Sequence, residues 1–347
     1  MIGGVLMSKW FPLEERQHIN ISEKTYETLL SDIEKYHLTS ISSLTNLIIE
    51  NGWSVLPANP VEYVNQQTDI YDKILSRHLS VTESRTIQPD ILKDIQQHTI
   101  YSFQNKYCKL PKGIQKNIHY SKQSIQLLQH CNDIIIDIYQ RPGKFVSALF
   151  ESYANLKDTE RDRIIKKDIL NTLNHCIKNN TIACIEMYTN DFYYIMPLTI
   201  DTFIGYTYVI CKSSPREDGL NGNYIDMSPR ISNILSVVNT EKKFEITESE
   251  KKAFRKKIQA TGAAYFDSPT EDIEVLFTNK GISMYQTILH QRPSYTHKDG
   301  NLYTFNCTRR QASNYFFKFG KDALIIQPSE LHEQILQNFK DAIAAYS

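Results

Sequence analysis

Between Lys93 and Lys122 six lysines (Lys93, Lys106, Lys109, Lys112, Lys116 and Lys122) stand against a single acid, Asp94, with Tyr101, Phe103, Tyr107 and Tyr120 interleaved. Lysine neutralises phosphate and an aromatic face stacks on an unpaired base, so this mixture suits a single nucleic-acid strand better than a duplex. Lys106, Tyr107, Lys109, Lys112 and Lys116 are its densest part. The plainer alternative is a solvated lysine face above buried aromatics. Nothing comparable points to bond-breaking chemistry. The sequence holds no Gly-x-Gly-x-x-Gly loop, no Gly-x-x-x-x-Gly-Lys-Ser/Thr and no His-Glu-x-x-His. His175 and Cys176 are adjacent, so on a helix they diverge by about 100° and cannot face one site. The six cysteines are scattered without a Cys-x-x-Cys pair, which argues against a zinc site and a disulfide framework. The expectation is a binding protein, not an enzyme, with no metal and no cofactor.

The elements that must carry such residues belong to a folded, multidomain chain. At 347 residues it is too long for one ordinary core, and 41% apolar with 22% charged residues is not a disordered composition. Basic and acidic side chains balance at 39 each, so any nucleic-acid footprint must come from local segregation of charge. The apolar run Ile134 to Ile138 is broken by Asp137 and is far short of a membrane span. Met1 to Met7 is briefly apolar but lacks a basic flank, so no signal peptide is expected there. A reducing cytoplasm and no membrane are the expectation.

From Arg16 the chain alternates as Arg16-Gln17-His18-Ile19-Asn20-Ile21, the period of a short strand. Ser22 offers an N-cap for a helix from Glu23 to Tyr36 carrying Tyr26, Leu29, Leu30 and Ile33, and Thr39 or Ser40 caps a second helix that stops at Asn51-Gly52. The order ribbon, helix, helix resembles the ribbon-helix-helix family. A lone strand has unpaired backbone groups, and so small a unit buries little surface, so a second chain should supply the other strand. In such a ribbon Ile19 and Ile21 face the helices while Arg16, His18 and Asn20 point outward; the resemblance implies that the outward residues read DNA bases. Charge opposes a strong reader, since Arg16 to Trp53 holds three basic residues against five acids. A dimerisation clip is the alternative.

Leu56-Pro57-Ala58-Asn59-Pro60 breaks the second helix, and Val61 to Ile138 reads as several helices. After Arg141-Pro142-Gly143 an apolar face of Phe145, Leu149, Tyr153 and Leu156 begins a helix pair reaching Ile177. Strands follow over Ile182 to Tyr188, Phe192 to Met196, Tyr206 to Lys212, Tyr224 to Met227 and Asn233 to Val237, with an Asn-Gly turn at 221 and 222.

Gly205-Tyr206-Thr207-Tyr208-Val209 followed by Arg230-Ile231-Ser232-Asn233-Ile234 resembles the core of bacterial WYL-domain regulators. Tyr208, Arg230 and Pro197 match that family's pattern, whereas Thr207 stands where tryptophan is usual and Asn233 where many members carry a second arginine. The resemblance implies an Sm-like small β-barrel whose concavity holds a ligand at Arg230 and Tyr208, with Tyr188, Tyr194, Lys212 and Asn233 as further lining. Arg230 is the strongest candidate, because a guanidinium fork grips phosphate and stacks on a base or ring.

Glu241 to Lys257 reads as a charged helical connector, Ile273 to Phe277 and Leu302 to Phe305 as strands, Gly281 to His290 as a helix, and Leu331 to Ile343 as a final amphipathic helix. Val275 to Leu331, with its aromatic cluster Tyr315-Phe316-Phe317-Lys318-Phe319, resembles the C-terminal extension of WYL regulators. The whole is expected to be α+β and multidomain: a ribbon-helix-helix module over 1–53, a helical linker region over 54–145, a WYL domain with lead-in helices over 146–240 and an α/β extension over 241–347. That order resembles the WYL accessory proteins of type VI CRISPR systems. It implies a homodimer that binds single-stranded RNA and modulates an effector nuclease. The alternative is a ligand-responsive transcriptional regulator that binds DNA through its ribbon.

Overall fold

The computed structural model describes residues 15–107, 113–217, 220 and 224–346. The chain divides into two compact units, the first ending at Lys167. The first strand, β1 (Arg16–Ile21), leads through the N-cap Ser22 into α1 (Glu23–Lys35), and Ser40 caps α2 (Ile41–Gly52). Three helices follow: α3 (Val61–His78), α4 (Val81–Thr86) and α5 (Gln88–Tyr107). The unit then returns to a strand, β2 (Ile114–His119), and closes with α6 (Lys122–Gln129), α7 (Asp133–Tyr139), α8 (Pro142–Ala154) and α9 (Asp158–Ile165).

The stretch expected to be wholly helical therefore contains a strand, and that strand is the partner of β1. The two run antiparallel with Arg16 opposite His119, His18 opposite Asn117 and Ile21 opposite Ile114. The backbone groups that called for a second chain are satisfied within one chain. Residues of the expected ribbon module, the linker and the lead-in helix share one core, in which Ile19, Leu29, Ile48, Ile118, Leu128, Phe145 and Leu149 are buried together.

The pairing has an approximate twofold symmetry. Register centres on His18 and Asn117, which lie at the same distance before the N-caps Ser22 and Ser121. The following helices repeat with the roles exchanged: α1 packs on α8, and α2 packs on α6. One carboxylate clasps each half. Glu151 of α8 accepts from the Ser22 amide (2.6 Å) and hydroxyl (2.9 Å) and from the Thr25 hydroxyl (2.7 Å). Glu50 of α2 accepts from the hydroxyls of Ser121 (2.5 Å) and Ser124 (3.1 Å). The counterpart of α1 is interrupted, since Asn132 starts a new helix after α6. Behind α1, Asp32 accepts from Tyr153 (2.6 Å) and meets Arg161 (2.8 Å), and Asp162 accepts from Tyr36 (2.7 Å). Burial raises the Asp32 pKa, with Tyr153 and Arg161 acting against it.

The second unit opens within α10 (Lys167–Asn179), at Asp168, and continues in a meander of β3 (Thr181–Met187), β4 (Phe192–Phe203), β5 (Tyr206–Ser214) and β6 (Ile225–Met227). A 3₁₀ turn at Ile231–Asn233 precedes β7 (Ile234–Lys243), which goes back to pair with β3, giving the order β6-β5-β4-β3-β7. Among the described residues no ladder joins β7 to β6, so the sheet is described as open where a closed small barrel was expected. The Asn-Gly turn lies outside the described residues. The expected connector is strand as far as Lys243; its helix, α11, runs Glu248–Thr261.

A second antiparallel sheet follows, built from β8 (Glu271–Phe277), β9 (Tyr295–Asp299), β10 (Leu302–Cys307) and β11 (Ala323–Gln327) in the order β11-β8-β10-β9. Helices α12 (Asn279–Thr287), α13 (Arg309–Phe316) and α14 (Ser329–Ala344) accompany it. The aromatic segment is helical and forms this sheet's core: Phe277, Tyr285, Phe305, Tyr315, Phe316 and Phe319 are buried together. No helix of the described residues is long and apolar enough to cross a membrane.

Glu151→Ala leaves the Ser22 amide and the Thr25 hydroxyl without their acceptor. It should destabilise the first unit by about 1–3 kcal/mol. Urea denaturation checks this, and Glu50→Ala should show a loss of the same sign.

Candidate nucleic-acid interface

Arg230 follows Pro229, whose carbonyl accepts from the Val209 amide (3.1 Å), so its backbone is bridged to β5 at Tyr208. Alternation along β5 puts Tyr206 and Tyr208 on one face. The Arg230 guanidinium carbon lies 3.8 Å from the Tyr206 ring centroid, a stacked cation–π pair, and its Nε donates to the Tyr208 hydroxyl at 3.3 Å. Tyr208 is buried, while Arg230 is exposed. The fork of this exposed arginine is thus held by two tyrosines, a geometry suited to a phosphate or a base edge.

Asn233 and Tyr188 adjoin this point through backbone. The Asn233 amide donates to the Arg230 carbonyl (3.0 Å), and the Tyr188 amide donates to the Asn233 carbonyl (2.9 Å). Tyr188 is exposed, so its ring lies at the surface.

Lys212 and Tyr194 lie elsewhere. Four residues beyond Tyr208 along β5, about 13 Å away, Lys212 is buried and donates to the Tyr224 hydroxyl (2.9 Å) and to Glu250 of α11 (3.0 Å). Burial pulls its pKa down, but those bonds to Tyr224 and Glu250 carry it above the ordinary lysine value. Glu250 is pushed down to about 2 by hydrogen bonds from the Thr247 amide and hydroxyl, with Lys212 adding to the effect. Lys257 of the same helix pairs with Asp226 at 2.8 Å. Lys212 is therefore a strut between sheet and helix rather than a hand for a ligand. Tyr194 packs on a separate cluster with Ile182, Leu220 and Phe244.

The basic–aromatic stretch is divided among elements. Lys106 and Tyr107 close α5, and Lys109 and Lys112 lie outside the described residues. Lys116 sits on β2 with its ammonium 4.0 Å from the Tyr26 ring centroid, while Phe103 and Tyr120 are buried in the core. On the ribbon, Arg16, His18 and Asn20 are exposed as expected. Gln115, Asn117 and His119 of β2 stand opposite them, exposed on the same face. The described residues hold no group of three or more histidine, cysteine, aspartate or glutamate side chains able to hold a metal ion.

Tyr206 was not singled out from the sequence, although its place two residues before Tyr208 on a strand puts it on the same face. The three β2 residues were missed with their strand.

Lys212→Met should lower the stability of the second unit by about 1–3 kcal/mol without weakening oligonucleotide binding, as thermal melts and filter binding will show. The depressed pKa makes the Glu250 contribution complete above about 4.5 and lost as pH falls toward about 2. Glu250→Gln should flatten that part of the acid-unfolding curve.

No family model matches this chain, and no curated protein matches it. Among solved structures it is similar to one described as the crystal structure of a CRISPR Cas-related protein, with 21% identity and TM-score 0.68 over 96% of this chain and 94% of that one. At that identity the likeness shows the fold. A second similarity, to proteasome accessory factor B/C (PafBC) of Arthrobacter aurescens, has 9% identity and TM-score 0.27 over 64% of this chain and 35% of that one. So low a score carries no argument about fold.

Proposed function

We propose that this chain is a non-enzymatic nucleic-acid-binding regulator, a CRISPR accessory protein that holds single-stranded RNA at Arg230 and modulates a type VI effector nuclease. The observation that carries the reading is the fork of the exposed Arg230, stacked on Tyr206 and hydrogen-bonded to Tyr208. A stacked guanidinium beside exposed aromatic surface recognises backbone charge and an unpaired base together, which a duplex does not offer. The near full-length likeness in fold to a CRISPR Cas-related protein supports the setting. With β1 paired inside the chain, the homodimer no longer rests on the ribbon. It rests on the resemblance and on α14, which leaves Leu336 and Ile343 of one helix face exposed.

Arg230→Ala should weaken single-stranded RNA binding at least tenfold, about 1.4 kcal/mol, in filter binding at fixed salt. Arg230→Lys should recover little, since an ammonium keeps the charge but not the stacked fork. Unchanged affinity in both variants would remove this site from the mechanism.

A second reading, a DNA-binding transcriptional regulator, is favoured by one observation. Arg16, His18, Asn20, Gln115, Asn117 and His119 form an exposed polar face on a two-stranded ribbon, the shape a major groove admits. Because the two strands carry different residues, such a ribbon would select a non-palindromic site. Selection from random duplexes should then return an asymmetric sequence, lost in a His18→Ala/Asn117→Ala double variant; recovery of no sequence, or of a palindrome, would rule this out.

A further inference from the structure

Within the second unit, a cavity of about 370 Å³ lies between β4, the end of α10 and α11, and Arg230, Tyr188 and Asn233 do not line it. Its apolar side is formed by Ile177 from α10, Leu198 and Ile200 from β4, and Phe254 and Ile258 from α11. Leu198 is the extra residue of a β-bulge. Pro197 pairs with Cys211 and Thr199 with the adjacent Ile210, and the displaced residue turns into the cavity wall. Bulges of this kind re-aim side chains beside binding sites.

Polar side chains supply much of the rest of the lining. Asn180, Asp201 and Gln259 bring hydrogen-bonding edges, and Lys251 and Arg255, one helical turn apart on α11, bring positive charge. Lys251 shares its charge with the exposed Glu248 at 2.8 Å, whereas Arg255, Asn180 and Gln259 make no side-chain hydrogen bond among the described residues. Asp201 accepts from the Thr202 amide (2.7 Å) and keeps its other oxygen for a donor.

We infer that this cavity is a binding site for one nucleoside monophosphate unit. An apolar slot edged by two amides takes a flat heteroaromatic base, a carboxylate accepts from ribose hydroxyls, and two cations neutralise a phosphate. Fatty or purely aliphatic anions leave the amides and the carboxylate unmatched. The unit comes either as a free mononucleotide or as one residue of a bound strand. Only the strand-bound case rests on the RNA reading proposed above.

The test uses the full-length protein, its Arg255→Gln and Leu198→Trp variants, and Arg230→Ala. Arg255 is exposed, so its replacement spares the fold, and Leu198→Trp fills the cavity. Equilibrium dialysis with labelled AMP, GMP, CMP and UMP is run beside filter binding of a single-stranded RNA. Mononucleotide binding that falls at least tenfold in Arg255→Gln supports the free source. If no mononucleotide binds but strand affinity falls at least tenfold in Arg255→Gln and Leu198→Trp, the strand is the source. Strand affinity lost in those two variants yet kept in Arg230→Ala sinks the Arg230 reading and leaves the cavity. Arg255→Gln matching the wild type in every measurement overturns the inference, whatever Leu198→Trp does.

Discussion

A strand whose backbone amides and carbonyls find no partner cannot be buried, and β1 begins a unit whose core depends on burying it. Ile19 and Ile21 reach that core only because Ile114–His119 completes the ladder on the other side. Once the ribbon is closed, α8 can lie against β1 and α2 against β2, and the two carboxylate clasps hold the strand ends to the helices. The α3 to α5 excursion lies between the two halves and carries the chain from one to the other. A dimeric solution to the same problem is unnecessary here, since the second strand is already tethered.

Much of the first half was legible. The alternation over Arg16–Ile21 and the caps Ser22 and Ser40 fix β1, α1 and α2 nearly to the residue. The same rules missed β2 for a physical reason: Ile114 and Ile118 are four apart, a spacing that fits a helix face as well as alternate positions of a strand. The lysines around them also looked like a binding surface, whereas the structure gives Lys116 to the Tyr26 ring and Tyr120 to the core. Local pattern cannot show which distant strand offers a free edge.

In the second unit five strands of the first sheet and two of the second were expected, with β4 and β7 too short and β9 and β11 not foreseen, and side-chain roles were harder. Arg230 was found through resemblance, yet Tyr206, the ring it stacks on, was not, because stacking depends on how β5 and the Pro229 bridge bring two segments together. Lys212 was expected to line the same concavity as Arg230. Its partner Glu250 lies far along the chain, and only the packing of α11 on the sheet turns the pair into a strut. Sequence reading thus finds residues capable of recognition and cannot separate those spent on holding elements together.

The same distinction explains why the two halves of the ribbon unit do not announce themselves as a repeat. Positions that hold the halves together keep their type: Ile19 and Ile118, Ser22 and Ser121, Thr25 and Ser124, Glu50 and Glu151. Outward positions carry no such duty, and there Arg16, His18 and Asn20 face the different set His119, Asn117 and Gln115. In a ribbon made from two identical chains each outward side chain appears twice, so any change is made on both strands at once. Fusing the halves removes that coupling. Each strand of the face is then free to differ while the clasps beneath it stay the same, and a twofold backbone comes to present an asymmetric surface.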